Sequence, residues 1–254
     1  MRLYLYCLSD ELNADELNAC AIQSVAGIAE AVPRMVDLGA IKAVVSDVQI
    51  QQVIVTKDNV LAHERVIDFV MAQTTPLPFR FGSVVTTAEL QTYVASNEDR
   101  LLALLDRVRG AVEMSVKIIW DRDAVRSQRA ETRSEGHLIG DHLIEGHLIN
   151  AEGAGPGARF LLAKRQEIMG ERDLKSRADE IASWLDEGLR GLVREKVIIL
   201  NPADALVVSA AHLVERGRVA EYRERVNSLG RHRNDLRFLT SGAWPPYSFT
   251  HLRS

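Results

Sequence analysis

The sequence predicts an α+β fold in two small domains. Three observations carry that expectation. Short β-rich runs occur in both halves of the chain, as in RLYLYCL (2–8), VEMSVKIIW (112–120) and VREKVIIL (193–200). Stripes of apolar residues at helical spacing lie between such runs, so strand–helix–strand units arise twice over. A charged and then Gly-rich stretch, 121–157, separates the two series.

The elements follow in chain order. RLYLYCL is aromatic and β-rich, and reads as a first strand. Residues 10–32 are Ala-rich and read as partly helical, and RMVDLGAIKAVVSDV (34–48) reads as two strands about Leu38-Gly39. QQVIVTKDN (51–59) leans toward β. In NVLAHERVIDFVMAQ (59–73), Leu61, Ala62, Val66, Phe69 and Val70 fall near helical spacing, with His63, Glu64, Arg65 and Asp68 read as the solvated side. Pro76 and Pro78 end that helix, because proline lacks an N–H and drives the preceding residue toward extended geometry. FRFGSVV (79–85) then reads as a strand.

Thr86 with Glu89 three residues on is a capping-box pattern. Leu90, Val94, Leu101, Leu105 and Val108 continue as a helical stripe to Gly110, placed where a helix C-terminal glycine belongs. VEMSVKIIW alternates and closes a first domain at 1–120. Residues 121–157 are expected to be a linker. The second domain, 158–254, opens with ARFLLAKRQ, carries an apolar stripe through Leu174, Ala178, Ile181, Leu185, Leu189 and Leu192, and then two strands. A charged helix to Gly230, a last strand DLRFLTSG and an aromatic, proline-containing tail AWPPYSF complete it. The tail is expected to fold back on the second domain, since loose aromatics would expose apolar area.

Bulk properties exclude several classes. The 254 residues are 46% hydrophobic, ordinary for a globular chain, and the net charge of −4 gives no concentrated positive field for nucleic acid or an anionic membrane. Two cysteines, Cys7 and Cys20, make no disulfide framework and no CxxC, which fits a reducing, cytoplasmic setting. The N-terminus lacks the long apolar core of a signal peptide, and no run is long enough to span a bilayer. A soluble, intracellular protein is expected.

The candidate chemistry is thin. His137, His142 and His147 recur every fifth residue, each followed by Leu-Ile, and a histidine cluster can bind zinc or nickel. A five-residue step turns a helix by about 140° per repeat, which scatters the imidazoles, and Gly136, Gly140 and Gly146 disfavour a rigid helix. A linker is the preferred reading. No G-x-S-x-G, H-E-x-x-H or P-loop occurs, and GAGPG (153–157) lacks the phosphate-binding lysine. An acid/base dyad of His63 with Glu64 or Asp68 can be drawn, but a solvated helix face explains them more simply. Arg80, between Phe79 and Phe81, suits a bidentate structural pair with a carboxylate such as Glu113 or Asp68; the rival is contact with a partner.

Four stretches, in register, give the chain a family likeness. VLAHERVIDFVMAQTTPLPFRFGSVV resembles the signature of the gas vesicle protein F/L family: a helix with His-Glu-x-Val, then a Leu-Pro-aromatic-or-Val-Arg-Phe-Gly strand. LLALLDRVRGAVEMSVKIIW is similar to the family's helix-to-strand passage. GARFLLAKR resembles its Gly-x-x-Tyr-Leu-x-x-Lys/Arg segment, with Phe160 in the aromatic position. SGAWPPYSF resembles its terminal Gly-Pro-Trp-Pro-Pro-Tyr-x-Phe, with Ala243 where proline is usual. The long 121–157 segment departs from the pattern.

The resemblance implies an α+β protein with at least one modified ferredoxin-like domain. It implies an accessory or minor structural protein of gas vesicles, in the cytoplasm and at the vesicle, that contacts the hydrophobic shell-forming protein and other gas vesicle accessory proteins. Neither nucleic acid nor a lipid membrane is an expected partner. No catalytic, cofactor-binding or metal-ligating residue comes with the family, and the residues themselves supply none, so no cofactor and no enzymatic activity are expected. The alternatives are a metal-dependent enzyme using the histidine triplet and a ferredoxin-like regulatory binding module.

Overall fold

A computed structural model describes residues 2–12, 22, 25–120, 175–200 and 206–250. The expected linker, the histidine triplet and GARFLLAKR lie outside the described residues. The chain forms two antiparallel sheets with helices against them.

The first sheet is built on β1 (Arg2–Ser9), β2 (Pro33–Asp37) and β3 (Lys42–Val48), with two short pieces, β4 (Leu77–Pro78) and β5 (Val84–Val85). Its order is β2-β3-β1-β4, and β5 also pairs with β1. Since β3 takes one edge of β1, β4 and β5 share the other. They meet it at Cys7–Leu8 and Leu3–Tyr4 respectively, as two pieces of one broken strand. Every residue of β1 after Arg2 is buried, which explains the unbroken apolar run RLYLYCL. Leu3 and Leu5 face a core shared with the long helix α2 (Thr87–Val108), and Tyr4 and Tyr6 face one shared with α1 (Lys57–Met71). A register shift between Leu5 and Cys7 keeps both faces filled.

The second sheet contains β6 (Ala111–Trp120), β7 (Val193–Leu200), β8 (Leu206–Glu215) and β9 (Leu236–Trp244), in the order β7-β8-β6-β9. A helix over 175–188, α3, and α4 (Val219–Arg231) supply the connections, giving β6-α3-β7-β8-α4-β9. That succession and strand order are ferredoxin-like. The first sheet repeats the order, with a short 3₁₀ turn at Ile28–Glu30 before β2 and the broken fourth strand as its departures.

Three sequence expectations change here. The strand 112–120, counted with the first domain, is an inner strand of the second sheet, bonded to β8 and β9, so the two sheets divide at Gly110. Residues 121–157 therefore fall between β6 and α3, inside the second ferredoxin-like succession and not between the sheets. QQVIVTKDN forms no strand. Only Val53 of its apolar residues is buried, while Ile54 and Val55 are exposed.

The cores follow from these faces. Val112, Met114, Val116, Ile118, Val208, Ala210 and Leu236 of the second sheet pack with Ala178, Ile181, Leu185 and Leu189 of α3 and its following turn, and with Tyr222 and Val226 of α4. The C-terminal half of α2 lies between the two sheets: Leu101, Leu105 and Val108 share a cluster with Leu3 and Leu5 on one side and with Ala111 and Leu213 on the other. The capping box that begins α2 is complete, with Thr86 N–H donating to Glu89 Oε2 at 2.7 Å and Glu89 N–H to Thr86 Oγ1 at 3.2 Å. Gly110 follows the helix at φ +67°, a conformation that favours glycine. Thr86→Ala is expected to cost about 1 kcal/mol, read as a lower urea midpoint at constant m; an unmoved midpoint would show that α2 does not depend on its cap.

Candidate functional site

The family-like stretch 59–85 ends where the first sheet is interrupted. Phe79 N–H still bonds Tyr6 O at 2.8 Å, and Leu5 N–H bonds Ser83 O at 2.9 Å. Between these two bonds Arg80, Phe81 and Gly82 leave the ladder. Gly82 sits at φ +89°, and its N–H donates to Tyr4 Oη at 3.1 Å instead of to a strand. FRFGSVV therefore loops out over Arg80, Phe81 and Gly82 before rejoining β1 as β5, and is not one regular strand.

Phe81 turns inward, edge-on to His63 at 5.8 Å between ring centres. His63 is 3% exposed, which corrects its placement on a solvated face. Its Nδ1 lies 2.9 Å from Tyr4 Oη and its Nε2 lies 3.3 Å from Tyr247 Oη, while the Tyr6 ring stacks on it. Tyr4 Oη also accepts from Gly82 N–H, and which partner donates in each His63 contact is set by the tautomer of the neutral ring. Burial drives the His63 pKa down to about 4, partly opposed by the Phe79 backbone. The same burial pushes Tyr4 up to about 12 and raises Tyr247, whose phenol also feels Cys7, Glu64, Tyr4 and Asp68. The imidazole is neutral, filled on both nitrogens and shut from solvent, so it orders the loop and the tail.

That tail comes from the second sheet. After β9, residues 245–250 cross to the first sheet, where Phe249 is 4% exposed in the cluster of Leu3, Leu5 and Leu105. Ser248 gives its N–H and O–H to the two oxygens of Glu113, each at 2.7 Å. The tail is packed, as expected, but against the first sheet as well as its own. Further ties join the halves: Arg216 donates to Met71 O and, at 3.1 Å, to Thr74 O at the end of α1, and Thr75 Oγ1 bonds Ala111 O at 3.0 Å. Arg107 pairs with Glu195 across the halves, while Arg109 pairs with Asp10 and Glu11 within the first.

Arg80 takes no part in this. Its side chain is exposed and has no hydrogen bond or ion pair with any described residue, while its carbonyl accepts from Ser83 Oγ at 2.7 Å. The expected pair with Glu113 or Asp68 does not form: Arg80 points out on the bulge, and Glu113 accepts from Ser248. The second unit holds its own buried pair, His212 Nδ1 with Tyr222 Oη at 2.6 Å, and burial lowers the His212 pKa to about 4. The sequence named His63 and Glu113 but with other surroundings and partners, and it pointed to neither His212 nor Arg216. The spacing 63-66-67-70 is one helix face and was sufficient to place His63 inside. Nothing local pairs Glu113 with Ser248 or Arg216 with α1.

Among the described residues no group of three or more His, Cys, Asp or Glu could hold a metal ion. No described helix is long and apolar enough to cross a membrane.

Comparison with known proteins decides the family. The profile described as gas vesicle synthesis protein GvpL/GvpF matches residues 2–251. This chain belongs to the GvpL/GvpF family. It is 26% identical over 214 residues to gas vesicle protein F of Dolichospermum flosaquae, covering 82% of this chain and 83% of that protein. It is 28% identical over 205 residues to gas vesicle protein L of Streptomyces sp. (strain CB03234), covering 77% and 70%. In fold it is similar to the crystal structure of GvpF from Anabaena sp. PCC7120, with TM-score 0.73, 21% identity and coverage of 100% and 97%. GvpF from Microcystis aeruginosa gives 0.72, 21%, 99% and 99%. Membership of that family supports a role in gas vesicle formation.

Proposed function

We propose that this chain is a non-enzymatic accessory or minor structural protein of gas vesicles, acting in the cytoplasm and at the vesicle, that binds the hydrophobic shell-forming protein and assists assembly. Family membership over residues 2–251 supports the setting. The two sheet-centred units serve as a tied frame in this reading, with the aromatic tail across their junction.

The observation that carries the binding step is Arg80. Other residues of the family-like stretch have internal work: His63 and Phe81 fill the aromatic cluster, Pro78 is buried in the broken strand, and Gly82 bonds Tyr4. Arg80 is held out on the bulge with its five donors unused by any described residue. A guanidinium held there at fixed backbone geometry suits a carboxylate or carbonyl cluster on a partner.

Arg80→Met tests this on one protein with two readouts. The urea midpoint should stay within about 0.5 kcal/mol of the parent, as for an exposed residue without partners. Capture of the shell protein should fall at least about tenfold, the loss of one charge-assisted contact. Unchanged capture would remove Arg80 from the interface, and a large loss of stability would return it to a structural role.

A further inference from the structure

β7 is an end strand of the second sheet. Among the described residues only β8 pairs with it, and no described strand bonds its outer edge. Native sheets commonly blunt such edges with charge. The first part of β7 does so through Arg194, Glu195 and Lys196, with Arg107 on Glu195 and Asp186 on Lys196. The second part, Val197-Ile198-Ile199-Leu200, carries no charge. Ile198 and Leu200 pack toward α3 and α4, while Val197 is 39% and Ile199 61% exposed. By alternation Val197 and Ile199 stand on the opposite face of the sheet. There Val197 lies beside Ala211, and Ile199 continues the row Ser209, Lys117, Leu239.

We propose that this edge pairs antiparallel with the β7 edge of a second copy of this chain, centred on Ile198. The register follows from the strand itself. A two-fold axis through a continuous sheet sets opposed residues on the same face, so the centre falls on a residue and not between two. A centre at Lys196 opposes two ammonium groups, which is unfavourable. A centre at Val197 sets Lys196 against Ile198 and Glu195 against Ile199. A centre at Ile199 leaves Val197 outside the apolar pairing. Only the centre at Ile198 sets Ile198 against its copy and each Val197 against the other copy's Ile199. It buries both exposed apolar side chains, sets Lys196 against the other copy's Leu200 at the margin as its one charge-to-apolar pair, and leaves Arg194 and Glu195 beyond the apolar section. The charged first half then fixes the register and stops the pairing from running on. This self-complementarity favours a second copy over an unrelated strand.

One short strand pair and four outward side chains make a small interface, of the transient class. The dimer is expected to dissociate with Kd of about 10–100 µM. Sedimentation equilibrium of the full chain from about 1 to 500 µM spans that range. The mean mass should rise from monomer toward dimer. Val197→Lys and Ile199→Lys, each at an exposed site, should keep the parent's thermal melt and weaken the dimer at least about tenfold, as charges set against apolar neighbours. Leu239→Lys, on the same face at the far edge, should leave it unchanged. For the register, chains carrying Val197→Cys mixed with chains carrying Ile199→Cys should form more disulfide-linked dimer than either alone. A parent that stays monomeric throughout, or a dimer that survives both lysine substitutions, overturns the proposal. Cross-linking no greater in the mixture than in the separate chains rejects the register.

Discussion

Phe249→Ala is expected to destabilise the protein by about 3–5 kcal/mol, the usual cost of emptying a buried phenylalanine site. Phe249 is a late residue of the chain, yet it sits in the cluster that joins the first sheet, α2 and Leu213 of the second sheet. The loss therefore falls at the junction and not in one half. Deleting residues 245–254 should cost more, because Glu113, 8% exposed, then loses both Ser248 donors and His63 loses Tyr247. Urea unfolding followed by tryptophan fluorescence and by far-UV circular dichroism measures both effects. A midpoint left in place by Phe249→Ala would mean that the tail does not hold the halves together.

Stability should fall steeply as pH drops from 6.5 to 4. His63 and His212 titrate near 4 in the fold because burial disfavours the charged ring, against about 6.5 in the unfolded chain. Between those values the unfolded state binds more protons, so stability rises with pH. The contribution is fully present above 6.5 and is lost as pH falls toward 4, roughly 3 kcal/mol for each histidine at pH 4. The carboxylates held low by arginine, Asp47 by Arg34 and Glu195 by Arg107, lose their contribution in a lower window, starting near the unfolded carboxylate value of about 4. His63→Gln and His212→Gln should each remove about 1.4 kcal/mol per pH unit of slope between pH 6 and 4.5, whatever each does to stability at pH 7. A free energy of unfolding that is flat from pH 7 to 4.5 would mean that neither imidazole is sealed from water.

Much of the frame was legible in the chain. The apolar run of β1 and the box at Thr86 and Glu89 report local physics, and both elements form as read. Charge misled the reading of α1: Glu64, Arg65 and Asp68 drew His63 to the polar side, although its spacing to Val66, Ile67 and Val70 places it inside. The bulge at Arg80 escaped because Phe-Arg-Phe alternates like a strand, and only Gly82 at positive φ and the Gly82–Tyr4 bond reveal the break. β6 could not be assigned to its sheet from chain order, since its neighbours β8 and β9 are more than eighty residues away in sequence. The tail's aromatics announced burial but not where, because Glu113 and His63 are brought to it by the fold.

The central claim is that the bulge at Arg80 faces the shell-forming protein during gas vesicle assembly. A photo-crosslinking residue placed at position 80, in cells forming vesicles, tests it most directly. The account predicts one major adduct, of this chain with the shell-forming protein, absent when the probe stands at an exposed control position on α4 such as Glu224. Adducts with the shell-forming protein from the control position but none from position 80 would contradict it.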